Sequence, residues 1–474
     1  MGDRYDLDLV IVGMGSGGLV AAQFASTLGV RVAIVERARA GGDCLWTGCV
    51  PSKALIASAR VAQTMRDAAR FGIEPVEPTI DLAAVWRRLR QVRDDIATND
   101  DDPERYRTLG IDVIEGHASL TSKTEVTVAL ADGSGVRRLT TRYVLLCTGG
   151  RPVEPHVPGM AEAGFLTSEN LFDVIEPPRS IVFIGGGPVA VELAQAAARL
   201  GVRATILQRG PTILPRDEPS LVTIVAERLA GDGVDVRVRS DASSVEVVGD
   251  RKAVHANVDG HGHVFAAEEI VVAAGRRPNV EGLGLDDVGI RHGASGIVVD
   301  GRGRTTVKSV YAAGDVTGGP RFTHAAGYQA VRAVRDMFFP GAGRADAMVP
   351  WCTFSDPELA HAGLTSAEAI ARHGSSKVEV WRHELAHSDR ARTDATTEGA
   401  IVVVTAKDRV VGAHICAPHA GELIGELALA IVNGQRLRDV AKLVHVYPTL
   451  STGIGQLAAT AAYRSARRYR WLIR

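Results

Sequence analysis

One glycine pattern, written twice, constrains this chain more than any other feature. Residues 7–36 read as a strand (Leu7-Asp8-Leu9-Val10-Ile11-Val12), a turn Gly13-Met14-Gly15-Ser16-Gly17-Gly18, a helix to Leu28, and a strand Val30–Val35 ending at Glu36. Residues 180–209 repeat the order: strand Ile181–Ile184, turn Gly185-Gly186-Gly187-Pro188-Val189-Ala190, helix to Leu200, strand Val202–Leu207. The first glycine allows a tight turn, and the second lets a pyrophosphate approach the helix N-terminus. A small third residue brings helix and strand together. One such pattern alone says little, but two in strand–turn–helix–strand context imply two dinucleotide sites. At 474 residues the chain is too long for one core, so two or three domains are expected.

The last residue of each second strand separates the two sites. Glu36, about 18 residues beyond its fingerprint, is an acceptor placed for a free ribose diol, as expected for FAD. The second unit ends Ala204-Thr205-Ile206-Leu207-Gln208-Arg209. Neutral Gln208 removes the repulsion a carboxylate would exert on a 2′-phosphate, and Arg209 with Arg216 can pair with that phosphate through charge-assisted bonds. This favours NADPH over NADH.

Between the units lies Gly41-Gly42-Asp43-Cys44-Leu45-Trp46-Thr47-Gly48-Cys49-Val50-Pro51-Ser52-Lys53. Two cysteines five residues apart at the start of a helix can close into a short disulfide, and beside a flavin they can store two electrons as two thiols. A helix N-terminus favours thiolate over thiol. The segment resembles the redox-active block of the class I flavoprotein disulfide reductases (pyridine nucleotide-disulfide oxidoreductases). The resemblance implies a substrate-facing thiol at Cys44 and a flavin-side, charge-transfer thiol at Cys49.

Further segments resemble the same family in order. Val144–Pro152, with Thr148 and Gly149 at its turn, is similar to the end of the first FAD section. Val271–Asn279, containing Gly275, is similar to the exit from the nicotinamide domain. Val310-Tyr311-Ala312-Ala313-Gly314-Asp315 is similar to the FAD-closing motif, which implies that Asp315 accepts from a ribityl hydroxyl. Gly116 falls where the family approaches the adenine end of FAD. Lys53 and Glu192 match an ion pair near flavin N5 that stabilises negative charge and orients the nicotinamide. The FAD set is thus Gly13, Gly15, Gly18, Glu36, Lys53, Gly116, Thr148, Gly149 and Asp315. The NADPH set is Gly185, Gly187, Ala190, Gln208, Arg209, Arg216 and Gly275. The implied fold is α/β: two Rossmann-like domains, for FAD (1–150 and 277–348) and NAD(P) (151–276), then an α+β dimerisation domain (349–474) with alternating strands such as Ile401–Thr405.

One departure bears on the chemistry. Where the family carries His-Pro-Thr-x-x-Glu, this chain reads His445-Val446-Tyr447-Pro448-Thr449-Leu450-Ser451-Thr452. Tyr447 stands in the place of the acid–base histidine and Thr452 in that of its orienting glutamate. A phenol with a pKa near 10 is a poor base at neutral pH, and loss of a tuned imidazole costs about 10²–10⁴-fold. His445 is two residues away, about 7 Å along an extended segment, and reads as structural. The Tyr-for-His pattern is similar to mercuric reductases and some quinone reductases, although the mercuric vicinal cysteine pair and N-terminal C-x-x-C domain have no counterpart in this sequence.

Net charge −1 gives no general pull toward nucleic acid. An acidic start without a signal-peptide core, apolar runs too short to span a bilayer, and only Cys147, Cys352 and Cys416 besides the pair suggest a cytoplasmic protein. The basic, aromatic stretch Tyr463–Arg474 could lie on an anionic membrane. A dimer-packed terminal helix is the preferred reading. The expectation is a homodimeric FAD enzyme with no metal of its own, passing electrons from NADPH through Cys44 and Cys49 to a metal ion or quinone. The alternatives are a small-disulfide reductase, a dihydrolipoyl dehydrogenase, or a non-catalytic redox-sensing flavoprotein.

Overall fold

The computed structural model describes residues 5–339 and 348–467. The first glycine unit builds a parallel sheet in the spatial order Asp112–Ser122, Val32–Glu36, Leu7–Val12, Val136–Leu146, Val310–Ala312. Glu125–Leu130 adds an antiparallel layer between the first and fourth of these strands. Leu9, Val10 and Ile11 are fully buried, as a central parallel strand covered on both faces requires. The fingerprint helix Ser16–Thr27 turns Gly17, Gly18, Ala21, Ala22 and Ala25 inward, and these small residues let it lie close to the sheet. The predicted helix and strand limits hold to within two residues.

The chain leaves this sheet at Gly150–Pro152 and returns at Arg276–Pro278, and the two passages pair antiparallel. Between them the second unit forms the parallel sheet Glu269–Val272, Ser180–Ile184, Arg203–Leu207, Asp235–Arg237, with an antiparallel three-stranded layer over residues 240–267. Its fingerprint helix Pro188–Arg199 is buried almost all round, because the redox helix Cys49–Arg66 packs along it.

The C-terminal part is a five-stranded antiparallel sheet, in the order Trp351–Thr353, Glu358–Gly363, Arg409–Ala417, Ala400–Ala406, Val378–Glu384. The alternation expected for Ile401–Thr405 is absent from its burial, since every residue of Ala400–Ala406 is buried. Ala400, Val402 and Val404 join a core shared with Ala54 and Leu55 of the redox helix and Phe183 of the second unit. Ile401 and Val403 face the domain's own helices, including Leu427 and Ile454. The sheet is therefore clamped on both sides, which fixes its first strand against the site. Among the described residues no helix is long and apolar enough to cross a membrane.

Candidate functional site

The expected single helix start is in fact two helices. Cys44 lies in the short helix Gly42–Trp46, the chain breaks at Thr47-Gly48, and Cys49 opens the helix Cys49–Arg66. The break needs glycine: a Cβ on Gly48 would come 2.8 Å from the carbonyl oxygen of Asp43. Trp46 donates its indole N–H to the Ala40 carbonyl at 2.6 Å and is flanked by the guanidinium groups of Arg39 and Arg93 at 4.0 and 5.1 Å. The redox turn is docked on the first unit through Gly42, in left-handed conformation (φ 57°), where a Cβ would lie 2.8 Å from Cα of Gly15.

Neither sulfur is in a disulfide here, with Cys44 half-buried and Cys49 exposed. The Cys44 thiol donates to Cys49, which holds the Cys49 thiol well below its usual range, at about 6, with help from Thr323 and the charge of Lys53. The same bond, with burial, pushes Cys44 up. One sulfur is thus a thiolate and its neighbour keeps the proton. The redox helix has no side-chain cap and no acid in its first turn, so its free N–H groups also favour the anion. Thr323 Oγ1, at the start of the helix Thr323–Phe338, lies 3.6 Å from Cys49 Sγ.

One turn along the redox helix, Lys53 Nζ meets Glu192 Oε2 at 2.8 Å. The other Glu192 oxygen accepts from the backbone N–H of Phe354 at 2.9 Å, and Lys53 Nζ sits 4.3 Å from the Phe354 ring centre. Glu192 is buried, so one carboxylate ties the redox helix, the second fingerprint helix and the C-terminal sheet together.

The first fingerprint fits a dinucleotide. Gly13 (φ 101°) has the Cys147 carbonyl oxygen 2.4 Å from where a Cβ would sit, and Gly15 caps a helix start with no side-chain bond and no acid in its first turn. Free N–H groups at such a start suit a pyrophosphate. Glu36 accepts from Met14 N–H at 2.6 Å and Ala38 N–H at 2.8 Å, which leaves lone pairs for ribose hydroxyls. Thr148 and Gly149 are stitched to Asn279, which receives the Thr148 hydroxyl at 2.8 Å and donates its backbone N–H to Gly149 at 3.0 Å. Asp315 is paired with Arg276 (3.3 Å), which also bonds Asp43 and the Gly150 carbonyl. Burial raises the Asp315 carboxyl's pKa. Gly116 is glycine for a reason of pairing: a Cβ would meet the Ala129 carbonyl oxygen at 2.4 Å.

In the second unit Gly185 (φ 118°) repeats the Gly13 geometry against Ala273. Gly187 caps its helix without a side-chain bond and faces open space, as does Gly275. Gln208 accepts from Gly186 N–H at 3.0 Å and donates to the Thr212 carbonyl at 3.1 Å. Arg209 is exposed and makes no ion pair with a described residue. The Arg216 guanidinium lies over the Trp351 indole of the C-terminal domain, 5.2 Å from the ring centre. The attraction of a cation to an aromatic face explains the contact.

In the C-terminal segment Tyr447 is exposed and donates to Asp389 at 3.0 Å, a bond that raises the phenol's pKa. The Thr452 hydroxyl bonds the Thr449 carbonyl. The His445 side chain is 7% exposed, with Nε2 at 3.1 and 3.2 Å from the Glu426 carboxylate oxygens. Gly455 supplies the room for its ring, since a Cβ there would come 2.6 Å from Nδ1. Residues Arg468–Arg474 of the basic tail lie outside the described residues.

Sequence reasoning missed Thr323, Arg276, Asp43 and Phe354 as site residues. Asp43 and Arg276 stood inside quoted family segments, but Thr323 had no local signal at all.

A family model for pyridine nucleotide-disulphide oxidoreductases matches residues 7–330, and the model for that family's dimerisation domain matches residues 349–458. The chain belongs to the pyridine nucleotide-disulphide oxidoreductase family. It is 31% identical over 472 residues to a dihydrolipoyl dehydrogenase of Bacillus subtilis, covering 96% of this chain and 98% of that protein. It is 33% identical to a mercuric reductase of Shigella flexneri, covering 97% and 81%. The solved Cu(II) complex of the HOCl-induced flavoprotein disulfide reductase RclA from Escherichia coli superposes with a TM-score of 0.83 at 25% identity, covering 96% and 99%. The protein is thus an FAD-dependent pyridine nucleotide-disulfide oxidoreductase with a dimerisation domain.

Proposed function

We propose that this oxidoreductase takes electrons from NADPH and passes them through FAD and the Cys44–Cys49 pair to a non-thiol acceptor, a soft metal ion or a quinone. The observation that carries this reading is the contrast between an intact electron entry and an altered exit. Lys53 Nζ meets Glu192 at 2.8 Å, and Cys44 and Cys49 lie in consecutive helices. Tyr447, at the position of the acid, is bonded to Asp389, and His445 is held by Glu426.

When bound, the flavin supplies the two-electron relay between the nicotinamide and the sulfurs. Glu192, fixed by Lys53 and the Phe354 N–H, orients the nicotinamide ring, and the Lys53 charge stabilises negative charge arriving beside it. Two electrons and one proton open a Cys44–Cys49 disulfide to a Cys44 thiol and a Cys49 thiolate. A disulfide substrate would then need a proton for its leaving thiolate, and a phenol with a raised pKa supplies it poorly. A soft metal ion binds thiolates directly, and a quinone takes its protons from solvent. The Cu(II) in the RclA structure supports a metal acceptor by analogy. Gln208 and Arg209 support NADPH, the first by its neutrality and the second as a free cation at the strand end.

The test is NADPH oxidation with glutathione disulfide, lipoamide, quinones and soft metal ions. Disulfide turnover should be slow and non-thiol turnover fast. Tyr447→His with Thr452→Glu should raise the former more than the latter. Rapid disulfide reduction by the unmodified protein would overturn the reading in favour of a dihydrolipoyl dehydrogenase or small-disulfide reductase.

A further inference from the structure

Arg216 occupies a place that the coenzyme reading does not account for. Its loop follows the strand Arg203–Leu207 and is tied back at two points. Gln208 donates to the Thr212 carbonyl at 3.1 Å, and Leu214 N–H donates to the Gly186 carbonyl of the fingerprint turn at 2.8 Å. Leu214 is buried with φ 46°, a left-handed conformation unusual for a bulky residue, and such conformations persist where the surroundings hold them. Arg216 follows two residues later, so its Cα lies within about 7 Å of the Leu214 Cα.

The far side of the Arg216 guanidinium is set by Trp351. That indole stacks on His361 at 3.6 Å and 12°, lies parallel to Phe322 at 6.0 Å, and donates its N–H to buried Asp217 at 2.8 Å. Trp351 is therefore held by two ring contacts and one hydrogen bond. Three residues further on, Phe354 bonds Glu192, while Phe322 precedes Thr323, the neighbour of Cys49 Sγ. Arg216 thus stands between the glycine turn, where a pyrophosphate would lie, and the strand that leads to the hydride site. Gln208 and Arg209 stand at the strand end, on the adenosine side. Stacking uses only the flat face of a guanidinium and leaves its in-plane N–H donors free for phosphate oxygens.

We propose that Arg216 binds the pyrophosphate of the nicotinamide coenzyme, with Trp351 as its positioning residue, and so serves NADPH and NADH alike. This rests on residues 180–209 being the nicotinamide coenzyme site, and it removes Arg216 from the 2′-phosphate.

The test is calorimetric titration of the FAD-loaded protein with two fragments. ADP-ribose carries the pyrophosphate and no 2′-phosphate, whereas 2′,5′-ADP carries the 2′-phosphate and no pyrophosphate. Arg216→Met should weaken ADP-ribose about tenfold and 2′,5′-ADP less than threefold, and Arg209→Ala should do the reverse. Turnover should show KM raised equally for NADPH and NADH in Arg216→Met, with kcat unchanged. Trp351→Leu should reproduce the Arg216→Met loss and add nothing to it in the double variant, while Trp351→Phe, which keeps a ring, should restore binding. Loss confined to 2′,5′-ADP, equal loss on both fragments, or no loss on either would overturn the proposal. Failure of the NADPH reading shows separately, as wild-type protein binding 2′,5′-ADP no more tightly than 5′-AMP.

Discussion

The two glycine units share a frame and differ in their surroundings. In both, a left-handed glycine opens the turn against a carbonyl of a neighbouring strand, and the residue ending the second strand accepts from the turn: Glu36 from Met14, Gln208 from Gly186. The first unit is closed in. A Cβ on Gly18 would lie 1.9 Å from the Gly13 carbonyl oxygen, whereas the second unit carries Ala190 at that place. The redox turn presses on Gly15, while Gly187 faces open space. The same strand–turn–helix order thus has a tighter turn in the first unit and a more open one in the second. The difference lies in what covers the turn.

The largest expected effect tests that contrast. Gly18→Ala puts a methyl into a backbone carbonyl and should cost about 3 kcal/mol or more, with FAD lost from the purified protein. Ala190→Gly should cost about 1 kcal/mol, mostly helix propensity, and leave FAD content unchanged. Thermal unfolding and flavin absorbance measure both, and equal effects at the two positions would erase the distinction.

Next comes the link between the units. Glu192→Gln removes the charge opposite Lys53 and should slow flavin reduction by about 10²-fold in stopped flow, with FAD content intact. A change below threefold would mean that the pair is only structural.

A smaller effect separates the strand ends. Arg209→Glu should move the ratio of kcat/KM for NADPH over NADH about tenfold or more toward NADH, because it repels a 2′-phosphate. An unchanged ratio would leave the two strand ends without the distinct roles given them.

The smallest effect is a titration on the closed-in side. The depressed Cys49 pKa means that the thiolate of the reduced protein is present above pH 6 and lost as pH falls through it. The iodoacetamide alkylation rate at Cys49 should therefore be half-maximal near pH 6, while Cys44, shifted upward, should not react in that range. A midpoint near 9 would contradict the hydrogen bond between the sulfurs.

Much of this was legible in the sequence because local rules govern it. An apolar strand, a glycine turn, an alanine-rich helix and a second apolar strand follow one another twice, so the strands and helices of both units fell where their residues put them. The Lys53–Glu192 pair joins residues 139 positions apart, and only the family resemblance brought it into view. Thr323 was invisible, since no pattern marks one hydroxyl at a helix start. The contact of Arg216 with a tryptophan 135 residues later was equally out of reach, because nothing local links the two positions. The break at Gly48 was hidden by reading the cysteines as a single helix start.

The bond from Phe354 N–H to Glu192 also has a bearing on how the protein comes into service. Glu192 and Lys53 are both made long before the ribosome reaches the C-terminal sheet. Until that sheet docks, the carboxylate lacks one of its two anchors and the lysine lacks the ring beneath it. A nascent chain can therefore acquire its nucleotide folds early and still lack the full set of contacts around Glu192, which exists only once the C-terminal sheet has docked.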